Sequence, residues 1–339
     1  MNDGLTKDYD RLIKTAEDIV RSIVKKYDSI IAAYSSGSFA RRDMVYGSDF
    51  DIAFIAPGYP ASNKLPPEVT RIIADDVVFE WAFVEKKMYD VKTLLETSPS
   101  VCDLAIARIW FDPEDFFGNI QRVLREEHSR PDLIKTRALN QLKIVENNFD
   151  ELKKSIASDK FDNLLTQIFL VVRHAFNIPS VILNRPVTHC RSYLYCRNNS
   201  KDLGIEDFPD LVNRILGAEG FNAEKVNIAL NTALKIFDTC GFPKESVETY
   251  KAHLRTVEYL LDINEPQAAV WPIYFEIVGA GHEAKRDNLA DISEKIFKSF
   301  MPIKEEMRLV EKIDMESRIK IIGEIISNSK KMIDNYFKP

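Results

Sequence analysis

The hydrophobic pattern of the 339-residue chain changes character near residues 128–132, which read HSRPD. Before that point, short apolar runs alternate with helical segments. After it, apolar residues recur at three- and four-residue steps, and strand-type runs are nearly absent. Because strands and helices bury their apolar faces with different periods, this change divides the chain into an α+β part and a helical part. We predict domains at residues 1–129 and 130–339.

The first part is predicted to form one mixed sheet flanked by helices. Its predicted strands are SIIAAYSS, which ends before Gly37, DIAFIA, VVFEWAFVE at 77–85 and ARIWF at 107–111. An amphipathic helix is predicted over 5–26, and the proline-rich segment 57–67 is predicted to be a loop.

Composition excludes some classes of partner and location. The formal net charge of -6 argues against long nucleic acid, because that binding depends on basic surface. The longest apolar segment, IFLVVRHAFNIPSVIL, is interrupted by Arg173, His174 and Pro179, so we expect no membrane span. No signal-peptide pattern is visible, and the four cysteines lack a C-x-x-C spacing. We therefore expect a cytoplasmic protein with reduced thiols.

Two aspartates flank a phenylalanine at the start of the second predicted strand. Alternation places Asp49 and Asp51 on one face of that strand, about 7 Å apart at the backbone. Two like charges this close repel, and burying either one requires compensation. Mg²⁺, which takes oxygen ligands, is a natural compensator. The alternative is that Asp49 is a turn residue after Gly47 and Ser48, with Asp51 on a solvated face.

A third carboxylate and a glycine-serine pair extend this pattern. Glu80 lies in an otherwise apolar run, which makes it a candidate third member of an acidic cluster. Gly37 lets the backbone approach a ligand, Ser38 adds a hydroxyl, and the amides that follow can point at an anion. Of Arg41 and Arg42, one could contact a phosphate and the other could pair with a neighbouring aspartate. Together these features predict a site for a metal–triphosphate.

The stretch GSFARRDMVYGSDFDIAF resembles the signature of the nucleotidyltransferase superfamily that includes DNA polymerase β. That signature is G-S, about ten residues, and then D-x-D in an apolar strand. The stretch is similar to small members such as aminoglycoside and lincosamide nucleotidyltransferases. FEWAFVE resembles the strand that carries the family's third carboxylate, and ARIWFDPEDFFGNIQRV resembles the segment that closes the catalytic domain. The resemblance covers about residues 30–125 and departs at Arg42, where many members have glycine.

The resemblance implies an α+β nucleotidyltransferase domain followed by an all-α domain for acceptor binding. It implies that Asp49 and Asp51 ligate Mg²⁺, with two ions expected, and that Glu80 is a further ligand or the base for the acceptor hydroxyl. The implied nucleotide-binding residues are Gly37, Ser38, Arg41, Arg42 and Ser48. The implied reaction moves a nucleoside monophosphate from an NTP, with ATP favoured, to a hydroxyl of a small acceptor and releases pyrophosphate.

Several alternatives stay open from the sequence. The acceptor could be a protein or a tRNA, as in antitoxin-type relatives, or the domain could be a catalytically silent nucleotide-binding module. Glu276 in the helical part is an alternative base, although a satisfied buried residue is the simpler interpretation. Arg185, His189 and Arg191 either close over the phosphates or acceptor, or lie in a solvated loop. A monomer or a homodimer is expected, with the segment 288–337 as packing or as a dimer face.

Overall fold

The computed structural model describes residues 9–58, 71–74, 76–157, 161–286, 292, 295, 296 and 312–338. The chain divides into two compact units, Met1–Leu133 and Ile134–Pro339. The described residues of the first unit form an α+β arrangement with a small mixed sheet, and those of the second are largely helical. This confirms the expected fold class in general terms.

The first unit is built around one five-stranded sheet. In chain order its elements are α1 (Tyr9–Lys26), β1 (Ala32–Ser35), α2 (Gly37–Arg41), β2 (Phe50–Ala56), β3 (Arg71–Ala74), β4 (Val77–Glu85), a 3₁₀ turn (Lys86–Tyr89), α3 (Val91–Thr97), α4 (Val101–Ala105), β5 (Arg108–Phe111) and α5 (Phe116–Glu127). The strand order is β3-β4-β2-β1-β5. β2 and β4 run parallel, and the other neighbouring pairs are antiparallel.

Alternation along β2 decides which residues cover each face of the sheet. Phe50, Ile52 and Phe54 join the core that includes the buried residues of α1. Ile55 joins a separate core with residues of α4 and α5. The predicted division of this strand into two faces is therefore confirmed, because side chains two apart on a strand share a face.

The structure differs from the sequence-based expectation at the margins of the sheet. β3 is a strand that the pattern did not predict, because it is a four-residue edge strand whose two isoleucines are exposed. Most of the predicted loop at 57–67 lies outside the described residues, as does the predicted start of the first helix. Asp49 precedes β2 and Asp51 is exposed, as the alternative interpretation of this stretch expected.

The described residues after the sheet form helices. They are α6 (Pro131–Ala157), α7 (Phe161–Ile182), α8 (Ser192–Asp202), α9 (Phe208–Ile215), α10 (Ala223–Thr239), α11 (Lys244–His253), α12 (Arg255–Asp262), α13 (Pro266–Arg286) and α14 (Lys312–Tyr336). Residues 164–182 of α7 have the length and composition of a membrane span, but 72% of that window is buried within the protein, as in a core helix. Part of the predicted helical stretch 288–337 lies outside the described residues.

Candidate active site

The three predicted acidic residues lie at neighbouring positions of the sheet. The parallel ladder between β2 and β4 pairs Asp51 with Glu80, so both side chains leave the same face of adjacent strands. Asp49 lies two residues before Asp51, and one of its carboxylate oxygens is within 4.8 Å of an oxygen of Glu80. The structure therefore brings the carboxylates of Asp49 and Glu80 close together and places Asp51 beside Glu80 on the neighbouring strand.

The acidic cluster is open to solvent. Asp51 is exposed, while Asp49 and Glu80 are half-buried. The cost of burying a charge, which the sequence suggested as the reason for a metal, is therefore smaller than expected. Mutual repulsion of three neighbouring carboxylates remains as the electrostatic feature of the site.

The glycine-serine bend runs directly beside this cluster. Gly37 adopts φ +68°, a left-handed conformation that glycine reaches without steric cost. A Cβ placed on Gly37 would lie 3.9 Å from Asp51 Oδ2, so the backbone of the bend touches the space around that carboxylate. Ser38 follows in the first turn of α2. An anion held at this bend would therefore lie next to the acidic cluster.

Arg41 is held by two carboxylates of its own unit. Its guanidinium donates to Asp103 Oδ1 at 2.5 Å and to both oxygens of Asp43 at 3.2 Å, and its side chain is only 9% exposed. Burial would lower the pKa of Arg41, but these two carboxylates hold it above its ordinary value. Arg41 therefore links α2 to α4 through Asp103, and its contact with the nucleotide stays a prediction.

Arg42 ends α2 in a left-handed conformation. Its φ is 59° and its ψ is 35°, and its side chain is exposed. A non-glycine residue is strained in this region of backbone space. The resembled family often has glycine at this position, and the observed conformation gives a physical reason for that preference. Arg42 remains a candidate for a phosphate contact.

Ser48 closes the turn that leads into the acidic cluster. Its Oγ accepts a hydrogen bond from the Val45 amide at 2.9 Å, and its own amide donates to the Val45 carbonyl at 2.8 Å. Gly47 supplies the positive φ of 82° within this turn. Ser48 thus positions the backbone in front of Asp49, a role that the sequence analysis did not assign to it.

Glu80 also has a structural partner that the sequence did not reveal. Arg71 of β3 pairs with Glu80 in the antiparallel ladder, and its Nη1 lies 3.6 Å from Glu80 Oε1. Arg71, Glu80 and Asp51 therefore form a row across three strands. Three carboxylates and one guanidinium leave a formal charge of about -2 at the site at neutral pH. One divalent cation would neutralise this formal charge.

Two buried tyrosines that the sequence analysis did not select lie near Asp51. The hydroxyls of Tyr34 and Tyr89 are 2.8 Å apart, and the Tyr34 ring stacks on Phe117 with ring centroids 4.1 Å apart. Burial raises the pKa of Tyr34 well above its ordinary value, and Tyr89 and the negative charge of Asp51 add to this effect. Tyr34 is therefore a neutral phenol within the electric field of Asp51. Its place in an apolar strand gave no sign of this contact.

The residues proposed from the helical part are mostly engaged within that part. Glu276 is buried, and its Oε2 lies 3.2 Å from His253 Nδ1, which supports the simpler interpretation of a satisfied buried residue. Arg185 donates to Asn199 and forms an ion pair with Asp202. The Arg191 guanidinium lies over the Tyr195 ring, 5.5 Å from its centroid. His189 contacts Arg173 of α7.

The acidic cluster fits a hard divalent cation by its donor chemistry. Carboxylate oxygens are the ligands that Mg²⁺ takes in proteins, and two opposite ligands of one Mg²⁺ lie about 4.2 Å apart. The oxygens of Asp49 and Glu80 are within 4.8 Å of each other, so a small side-chain rotation would bring both into range. Asp51 is the direct partner of Glu80 in the ladder and is the third carboxylate of the set.

No protein-family model matches the chain, and no curated protein matches it.

Proposed function

We propose that the chain is a metal-dependent nucleotidyltransferase that moves a nucleoside monophosphate from an NTP to a hydroxyl of a small acceptor and releases pyrophosphate. The observation that carries this proposal is the convergence of Asp49, Asp51 and Glu80 beside the left-handed bend at Gly37. The same residues carry the resemblance to the nucleotidyltransferase superfamily. That resemblance rests on the sequence alone and is therefore independent of the distances between the residues. The five-stranded mixed sheet is compatible with that fold.

Asp49 and Asp51 are the proposed principal metal ligands. Bound Mg²⁺ would neutralise charge on the triphosphate and stabilise the attacking and leaving oxygens. The three carboxylates would hold this Mg²⁺, while the guanidinium of Arg71 offsets one unit of their negative charge. A second ion, which the resemblance implies, would need the negative charge that the triphosphate itself brings.

Glu80 is better suited to ligation than to proton transfer. To accept a proton from the acceptor hydroxyl, Glu80 would have to weaken its contact with Arg71, which is 3.6 Å away. As a ligand it can keep that contact through one oxygen and use the other for the metal. We therefore propose Glu80 as a ligand. We do not propose Glu276 as the base, because it is buried against His253.

The bend and the end of α2 are the proposed triphosphate site. Gly37 allows close approach of the backbone, and Ser38 offers a hydroxyl in the first turn. The exposed guanidinium of Arg42 supplies positive charge at the other end of this five-residue helix. Ser48 contributes indirectly, because it fixes the turn before Asp49.

The substrate class follows from the charge of the chain. A net charge of -6 supports a small acceptor over a tRNA, since nucleic acids require basic surface. ATP is the favoured NTP, and the protein is proposed to act in the cytoplasm as a monomer or homodimer. A catalytically silent nucleotide-binding module is the second candidate, and the ion pair between Arg71 and Glu80 favours it because it engages one of the three carboxylates.

The test incubates the full chain with Mg²⁺, each α-labelled NTP and a panel of hydroxyl-bearing acceptors, and measures pyrophosphate release. We expect label transfer by the wild type and none by Asp49→Asn/Asp51→Asn. Asp18→Asn is the matched control, because Asp18 is an exposed acid of α1 that pairs only weakly with Arg21 at 3.7 Å. Unchanged turnover in the double variant would contradict the proposal. Mg²⁺-dependent ATP binding without turnover on any acceptor would favour the silent module.

A further inference from the structure

Arg173 of α7 holds a partly buried positive charge without an acidic partner among the described residues. Its Nη2 lies 3.0 Å from His189 Nε2, and its guanidinium is 5.9 Å from the centroid of the Phe275 ring. Nearby arginines differ in this respect. Arg185 forms an ion pair with Asp202, and Arg197 donates to both oxygens of Glu265 at 2.8 and 2.7 Å.

A desolvated cation that lacks a counter-charge destabilises a fold. Burial lowers the pKa of Arg173, and no carboxylate of the described residues acts in the opposite direction. Arginine nevertheless stays protonated in proteins, so the charge persists. The neighbouring His174 adds no charge at neutral pH, because burial and the Arg173 charge lower the pKa of His174 to about 4. Such a charge is tolerated where a ligand supplies the missing negative charge.

The surroundings of Arg173 hold its histidine partner in a fixed orientation. The His189 ring stacks on Phe275 with centroids 5.6 Å apart and an interplanar angle of 25°. The Trp271 indole donates to the His189 carbonyl at 2.7 Å, and Trp271 itself is fully buried. The His189 side chain remains exposed, so solvent and small ligands can reach the polar edge of the pair.

We propose that Arg173 and His189, backed by Phe275, form a binding site for an oxyanion, a phosphate or carboxylate group of a small ligand. The guanidinium can donate to such a group through the N–H groups that do not face His189, and His189 Nε2, which accepts from Arg173 Nη2, holds the guanidinium in place. The site lies within the helical unit and stands without the catalytic proposal. Only its assignment to the acceptor or to the nucleotide rests on the proposed function.

The test measures the melting temperature of the full chain in metal-free buffer with increasing inorganic phosphate or acetate, against chloride at matched ionic strength. We expect either oxyanion to raise the Tm of the wild type, since a ligand that binds the folded state stabilises it. In Arg173→Gln we expect at least a tenfold loss of oxyanion affinity. We also expect the unliganded Tm to rise by about 2–4 °C, because an uncompensated cation is removed.

Two further variants serve as a control and as a second test of the site. Arg214→Gln removes an exposed arginine that pairs with Glu219 at 3.1 Å, and it should respond to phosphate as the wild type does. His189→Gln alters an exposed side chain, so it should fold and bind phosphate more weakly. The proposal is overturned if neither oxyanion stabilises the wild type, or if Arg173→Gln keeps the wild-type response. If Arg173→Gln does not fold, an unchanged response in His189→Gln overturns it.

The source of the oxyanion is decided in the Asp49→Asn/Asp51→Asn background with ATP and no metal. If ATP raises the Tm and Arg173→Gln removes that shift, the site takes the triphosphate. If the ATP response does not depend on Arg173 while the phosphate response does, the site takes a group of the acceptor. Phosphate binding in this background is independent of turnover, so failure of the catalytic proposal and failure of the oxyanion site are separate results.

Discussion

Removing one charge from the acidic cluster should raise the free energy of unfolding when no metal is present. With magnesium bound, the same change should make the protein less stable than the wild type. An oxygen of Asp49 lies within 4.8 Å of an oxygen of Glu80. Two unit charges at that distance repel by about 1 kcal/mol in bulk water and by ~3.5 kcal/mol at an effective dielectric of 20. The site is open and Arg71 offsets part of the charge, so the lower figure applies. We therefore expect Asp49→Asn to raise the free energy of unfolding by about 1 kcal/mol without metal.

Magnesium should reverse the order of the two proteins. A ligand that binds only the folded state stabilises it by about 2.7 kcal/mol at one hundred times its dissociation constant. The wild type should gain stability as Mg²⁺ is added, and Asp49→Asn should gain little, because it has lost a charged ligand. Above a threshold concentration the wild type becomes the more stable protein.

The assay is urea denaturation followed by tryptophan fluorescence, in EDTA and over a series of Mg²⁺ concentrations. Asp18→Asn provides the control, since it removes an exposed acid distant in sequence from the cluster and should shift stability by less than about 0.5 kcal/mol. The reasoning is refuted if Asp49→Asn is less stable than the wild type in EDTA. It is also refuted if Mg²⁺ stabilises the two proteins equally.

Three further predictions concern backbone strain and protonation. Arg42→Gly should raise the free energy of unfolding by about 1 kcal/mol, because φ is 59° at this position, and a lower value in urea titration would contradict it. Gly37→Ala should lower it by about 1 kcal/mol or more, since φ is +68° there, and wild-type stability would show that the bend is not constrained. The pKa of His174 is lowered to about 4 by burial and by Arg173, so the folded state binds a proton less readily than the unfolded state. Its contribution, up to about 3 kcal/mol, should be present above pH 6.5 and be lost as the pH falls toward 4; His174→Gln should flatten this part of the profile.

The residues of the acidic cluster could be predicted from the sequence, but the residues that pair with them could not. Alternation along DIAFIA and VVFEWAFVE assigns the two faces of β2 and β4, because burial has a period of two in a strand. The pairing of Asp51 with Glu80 depends on which strands are neighbours and in what register. Periodicity does not encode that information; the position of Glu80 in an apolar run and the resemblance pointed to it.

The contacts of Arg71, Arg41 and Arg173 could not be predicted from the sequence, and the physical reason is the same for all three. Arg71 escaped notice because β3 is short, lies at the edge of the sheet and follows a proline-rich segment. The ion pair of Arg41 with Asp103, which is 62 residues away in sequence, was not foreseen. Arg173 was predicted only as an interruption of an apolar helix, whereas its distinctive feature is that no acidic side chain pairs with it in the part of the chain that the structure describes. Each outcome depends on contacts between distant segments, which no local pattern specifies.

The central claim is that Asp49, Asp51 and Glu80 hold a divalent cation beside the Gly37–Ser38 bend together with a triphosphate. The most direct measurement is a crystal structure of the full chain with Mn²⁺ and a non-hydrolysable ATP analogue, in which anomalous scattering locates the metal. The account predicts a metal peak about 2.1 Å from oxygens of Asp49 and Asp51, with phosphate oxygens against Ser38. A metal bound elsewhere, or a triphosphate seated away from Ser38, would contradict it.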